Sequence, residues 1–137
     1  MKILYTLAVG VLLLATTLSV AQNNSISDFT IESSDFYLDD EATEIISSIT
    51  KTGNTLTWTQ NHEDNSLVTT FNILSSSGTW DNATSTGNIS LTIEVAGNNS
   101  TLSLSGSNDN ISLQISTAGL NNTSEELIFD VTSIVYL

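Results

Sequence analysis

Three consecutive runs in the second half of the chain alternate apolar and polar residues. Ile89, Leu91, Ile93 and Val95 share one face, with Ser90, Thr92 and Glu94 on the other. Leu102 and Leu104 alternate with Thr101, Ser103 and Ser105, and Ile111, Leu113 and Ile115 with Ser112, Gln114 and Ser116. A period of two with one polar face predicts half-buried antiparallel strands. The outer two runs are near copies. "NISLTIEVAGNNST" begins at Asn88 and "NISLQISTAGLNNTS" at Asn110, so 110 − 88 = 22 residues separate them. A solenoid needs about three stacked copies to bury a continuous core. Two copies flanking "TLSLSG" instead predict a three-strand meander, with turns at "AGNN" and "GSNDN".

Further strands are expected at Leu56–Thr59, Leu67–Leu74, a short one around Trp80, and Leu127–Tyr136. The chain contains no proline, so no expected strand lacks a backbone donor. "DDEATEIISSITK" is ambiguous. Its acids suit a helix N-terminus, but Ile, Ser and Thr favour a strand from about Glu44, and "KTGN" makes a hairpin turn into Leu56. "DFTIES" reads as one more strand. The expected fold is all-β: an antiparallel meander of about seven to nine strands curled into a small barrel or tight sandwich.

The N-terminus has a different character. Lys2 precedes an apolar run from Ile3 to about Ala15, and Ser19-Val20-Ala21 offers small residues where a signal peptidase reads. This predicts a signal peptide over residues 1–21 and one domain over residues 22–137, exported to the periplasm or secreted. Thr6, Thr16, Thr17 and Ser19 interrupt the run, so no membrane insertion is expected after cleavage. Net charge is −13 from 15 acids and two cations, Lys2 and Lys51. Nucleic acid needs several Lys or Arg contacts to phosphate, so it is excluded as a partner. With no cysteine, the fold must rest on its core alone.

Chemistry is sparse. The single histidine, His62, sits in "QNHEDNS" beside Glu63 and Asp64, which reads as a solvated hairpin tip and not a catalytic relay. Asp39, Asp40, Glu41 and Glu44, or Asn108, Asp109 and Asn110, offer oxygens to a hard cation. Neither has EF-hand spacing, and both read as charged turns. Thr55, Thr57 and Thr59 form one polar strand face. No catalytic residue, metal site or cofactor is expected.

"NTLTWTQNHEDNSLVTTFNILSSSGTWDNATSTGNISLTIEV" resembles the small lipocalin-like (calycin-type) domains exported by Bacteroidetes. There a strand, an acidic turn and a second strand precede a Gly-Thr-Trp strand. The matching positions are Leu56, Trp58, Phe71, Gly78, Thr79, Trp80, Ile89 and Leu91, within roughly residues 54–117. The chain lacks that family's opening Gly-x-Trp strand, its lipidated cysteine and any arginine. The resemblance implies a barrel and no particular ligand.

Alternation places Trp58, Phe71, Trp80 and Phe129 inward, so the first functional expectation is a non-enzymatic module binding a small apolar or neutral ligand there. The alternative is a surface or structural interaction protein that uses its Ser/Thr/Asn face or a sheet edge. An open internal cavity favours the first; a filled core with a long bare edge favours the second.

Overall fold

The computed structural model describes residues 26–108, 110–118 and 124–137. The expected signal peptide, and Asp109 of the "GSNDN" turn, lie outside the described residues. Nine strands run in chain order: β1 (Phe29–Leu38), β2 (Glu41–Thr43), β3 (Ile46–Thr52), β4 (Thr55–Asn61), β5 (Ser66–Asp81), β6 (Thr86–Val95), β7 (Asn98–Ser107), β8 (Asn110–Ala118) and β9 (Ser124–Tyr136). All pairings are antiparallel. The order β1-β3-β4-β5-β6-β7-β8-β9 closes through β1–β9 into an eight-strand up-and-down barrel, and β2 is an extra short strand on β1.

The repeated segments are β6 and β8, on either side of β7, as the meander reading requires. Their register explains the alternation. Ile89, Leu104, Leu113, Phe129 and Phe36 stand opposite one another across five strands, and Leu91, Leu102, Ile115 and Leu127 form the next rung. These inward rungs meet Ile31, Ile49 and Leu56 from the far wall, all fully buried. Each such side chain contributes about 1.5–3 kcal/mol by leaving water. An eight-strand barrel is just wide enough for its own side chains to fill, and here the inward residues form one buried cluster.

The turns follow from backbone chemistry. Asp39-Asp40 (φ 49° and 68°) and Ala96-Gly97 (φ 49° and 80°) join strands through two central residues in the left-handed region, the type I′ pattern that suits strand twist. At Gly53-Asn54 only the glycine has positive φ, 56°, as type II′ requires. The ambiguous acidic segment is strand, as expected, but it is broken. β2 and β3 both lie along β1, and the pairing register shifts by one residue across Glu44-Ile45.

One expectation is corrected. Leu67–Leu74 and the strand around Trp80 are a single 16-residue strand, β5. The serines between them stay extended because Ser75–Asp81 pair with Thr86–Thr92. The only break is an irregularity between Ile73 and Ser75 that leaves Leu74 unpaired. Gly78 keeps the ladder continuous. At φ 103° a side chain there would place Cβ 2.1 Å from the Asn88 carbonyl oxygen.

Candidate functional site

The four inward aromatics face the core but do not converge. Trp58 and Phe129 meet edge-to-face at 5.4 Å between ring centroids, and Phe36 joins them at 5.6 Å from Trp58 and 5.9 Å from Phe129. Phe36 was not singled out from the sequence. Its neighbours Ser34 and Asp35 break the alternation, and the β1–β9 register slips between Ser33 and Phe36. The Trp58 indole N–H is buried with no hydrogen-bond partner. Phe71 packs half-buried in the β5 wall, opposite Leu56.

Trp80 lies at the other end of the barrel, where its indole N–H donates to the Tyr136 hydroxyl at 2.9 Å. Tyr136 also bonds the Ser85 hydroxyl at 2.9 Å. Nearby, the Lys51 ammonium donates to Asp28 Oδ1 at 2.9 Å, and the Gly53 N–H reaches the same oxygen at 2.9 Å. These contacts hold the Asp28 carboxyl below its ordinary pKa, the Lys51 bond contributing most. Asp81 is lowered too, chiefly by the Ala83 N–H. These hydrogen bonds tie the strand ends and turns together at this base.

Two shallow concavities lie on the outer surface. One, of about 220 Å³, is lined by Tyr37, Asp39, Asp40, Glu126 and Ile128. The other, of about 310 Å³, lies over the Ser77–Ser90–Ser103 row. Among the described residues no three acids or histidines come together in a metal-holding arrangement. His62, Glu63 and Asp64 are exposed at the β4–β5 tip, where the His62 N–H bonds the Asn65 carbonyl at 2.8 Å.

The feature that sets this barrel apart is β5 itself. It pairs with β4 over Ser66–Asn72 and with β6 over Asn72–Asp81, so only Asn72 has a strand on both sides. Two tight turns cause this. β6 ends at Val95 because Ala96-Gly97 reverses the chain, and β4 begins only after Gly53-Asn54. Ser66–Phe71 therefore have no strand among the described residues on the side away from β4.

Antiparallel geometry identifies the free groups. Opposed residues alternate between pairs that exchange both hydrogen bonds and pairs that exchange none, and a two-residue hairpin closes on a bonded pair. Counting from Thr52↔Thr55, residues 57, 59 and 61 turn their backbone toward β3, while Leu56, Trp58 and Gln60 turn theirs toward β5. Their β5 partners are Phe71, Thr69 and Leu67. Counting from Val95↔Asn98 turns Glu94 toward Asn72, which gives the same parity. Ser66, Val68 and Thr70 thus aim N–H and C=O at the free side. These three residues and Leu67 are exposed, with Leu67 at 54% and Val68 at 58%. Leu67 has inward parity but stands beyond the rim. Sequence alternation revealed these residues as a strand, but it carries no information about which strand edge lacks a neighbour.

Comparisons of the chain with models of protein families, with curated proteins and with solved structures return no match.

Proposed function

We propose that the protein is an exported, non-enzymatic interaction module of the lipocalin-like (calycin-type) Bacteroidetes kind, whose working surface is the free edge of β5. It takes up an extended segment of a protein partner by strand addition. The observation that carries this reading is the row Ser66, Val68 and Thr70, whose backbone groups face outward beside exposed Leu67. Native edges are usually blunted by lysine, proline, an inward-pointing charge or a bulge. Residues 66–71 carry no charge, no proline and no bulge. An undefended edge of this length is a template for another strand. The eight-strand up-and-down closure supports the lipocalin-like assignment.

Amide exchange and NMR titration test the reading. In the free protein the Val68 and Thr70 amides exchange quickly, while Leu67 and Thr69, bonded to β4, are protected. A strand-forming peptide should protect and shift Val68 and Thr70. Thr70→Pro should abolish that effect without unfolding the barrel, because Pro is tolerated where the N–H faces solvent. If Val68 and Thr70 are already protected in the free protein, the edge is not available and the reading falls.

A second reading rests on the unpartnered Trp58 indole N–H. In it, a small neutral ligand with an apolar body sets one acceptor oxygen against Trp58, beside Phe36 and Phe129. Its probe is 2-nonanone, which has one carbonyl on an apolar chain. Binding shifts the Trp58 indole proton and leaves that of Trp80 alone; no shift at Trp58 removes this reading.

A further inference from the structure

Resting on the strand-addition reading, we infer that the segment received at the β5 edge is cationic, with lysine or arginine flanking an apolar, β-branched stretch of about six residues. The free edge runs between two acidic stations. At its start stand Glu63 and Asp64, both exposed in the hairpin tip, and at its end stands exposed Glu94, paired with Asn72. Six extended residues span about 20 Å. A strand laid along Ser66–Phe71 therefore brings one terminus beside each station. Between them, exposed Leu67 and Val68 offer apolar surface to alternate side chains of the guest.

Charge decides between kinds of guest. The chain carries −13 net, and Lys51, the only lysine or arginine among the described residues, is buried and bonded to Asp28. No lysine or arginine among the described residues stands along this edge to offset the acids. A second copy is disfavoured on the same ground. Antiparallel self-pairing centred on the edge sets Asp64 of one copy near Glu94 of the other, and like charges placed together oppose association. The same acids that repel a twin attract a cationic strand, and no other device on this edge prevents self-association. The acids therefore act as a selector, in the way that rim charges usually set partner choice more than raw affinity.

The test uses the protein with three peptides sharing one core, Val-Thr-Val-Thr-Val, ended on both sides by lysine, glutamine or glutamate. At about 0.02 M salt the lysine-ended peptide should bind roughly ten-fold more tightly than the glutamine-ended one, and the glutamate-ended one more weakly still. At about 0.5 M salt the three should converge to within roughly two-fold, because the Debye length shrinks to a few ångströms. The triple variant Glu63→Gln, Asp64→Asn, Glu94→Gln should erase the lysine advantage and leave the glutamine-ended affinity unchanged. Thr70→Pro should abolish binding of all three, and Val68→Pro serves the same end should the first variant fold poorly. Equal binding of lysine- and glutamine-ended peptides at low salt overturns the charge inference and leaves strand addition standing. If no peptide perturbs the Val68 and Thr70 amides, strand addition itself is lost. Lysine-ended binding that survives both proline variants is diffuse surface attraction, and it overturns the inference.

Discussion

The two ends of the barrel are built on different principles. At the base, side-chain hydrogen bonds link residues far apart in sequence: Lys51 to Asp28, Asn82 to Ser27, Trp80 and Ser85 to Tyr136. Toward the opposite end most side-chain bonds among the described residues are local: Ser33 to the Asp35 carbonyl, Ser47 to the Ile45 carbonyl and Ser66 to Asn61. Thr132 to the Glu32 carbonyl is the long-range one. Long-range bonds fix strands against one another, whereas local ones only shape a turn. The base is therefore where side chains tie distant strands together, although Leu74–Asp81 of β5 also lack a strand on their β4 side there among the described residues. At the other end the edge of Ser66–Phe71 stands open beside apolar side chains.

Glycine substitutions should break this comparison most sharply. A Cβ on Gly106, at the base, would lie 2.1 Å from the Ser85 carbonyl oxygen and 2.7 Å from the Trp80 ring. Overpacking of this kind costs typically 1–3 kcal/mol and occasionally more, so Gly106→Ala should lie at the upper end, about 3 kcal/mol in denaturant unfolding. Gly97, in the turn at the open end, has nothing within 4 Å of a built Cβ, only φ 80°. Gly97→Ala should therefore cost only about 1 kcal/mol of backbone strain. Comparable losses at the two sites would show that the ends are equally tight.

Tyr136→Phe comes next. It strands the part-buried Trp80 indole N–H and Ser85 hydroxyl. The cost should lie toward the low end of the about 1–3 kcal/mol of a fully buried unsatisfied group. At the other end Ser66→Ala removes only an exposed bond to Asn61 and should stay within about 0.5 kcal/mol. Thermal unfolding of the pair should show the first variant several degrees lower and the second unchanged.

Acid titration sharpens the contrast further. Asp28 and Asp81, both at the base, have carboxyls lowered from 3.8. A depressed folded pKa means the stability they supply is fully present above the unfolded value of 3.8. It is lost as pH falls through the lower folded values. Melting temperature should hold down to about pH 4 and drop below it. Asp28→Asn should flatten that limb and also lower stability at neutral pH, because buried Lys51 loses its counter-charge. An acid limb with unchanged slope in Asp28→Asn would place the pH dependence elsewhere.

Salt should have the smallest effect. A chain of net charge −13 repels itself when compact, and screening relieves this, so melting temperature should rise modestly between about 0.01 M and 0.2 M sodium chloride. Calcium at fixed ionic strength should add nothing if the acidic turns are only solvated, and a further rise would reveal a cation site.

Much of the fold was legible because alternation is a local property. Ile89, Leu91 and Ile93, Leu102 and Leu104, and Leu113 and Ile115 declare both their strands and their inner faces within a few residues each. The candidate site was far less legible. Trp58, Phe71, Trp80 and Phe129 were all placed inward, and each packs on the core. Inwardness alone says nothing of height along the barrel, and Trp80 lies at the base, away from the trio of Phe36, Trp58 and Phe129. Ser75–Gly78 interrupt the apolar alternation, so the sequence predicts two strands where pairing with β6 makes one.

The sequence by itself determined that this chain forms strands, where most of them reverse, which faces they bury, and that its net charge is strongly negative. Each of those depends on neighbours in the chain or on summed charge. Only the tertiary structure decided the stagger of β5, the union of Phe36 with Trp58 and Phe129, and the Trp80–Tyr136 lock. These depend on how eight strands with unequal turns close into one ring. Closure is a condition on the whole chain at once: each tight turn shifts the register of every strand after it. The edge left free at Ser66–Phe71 is the remainder of that sum, and no window of sequence contains it.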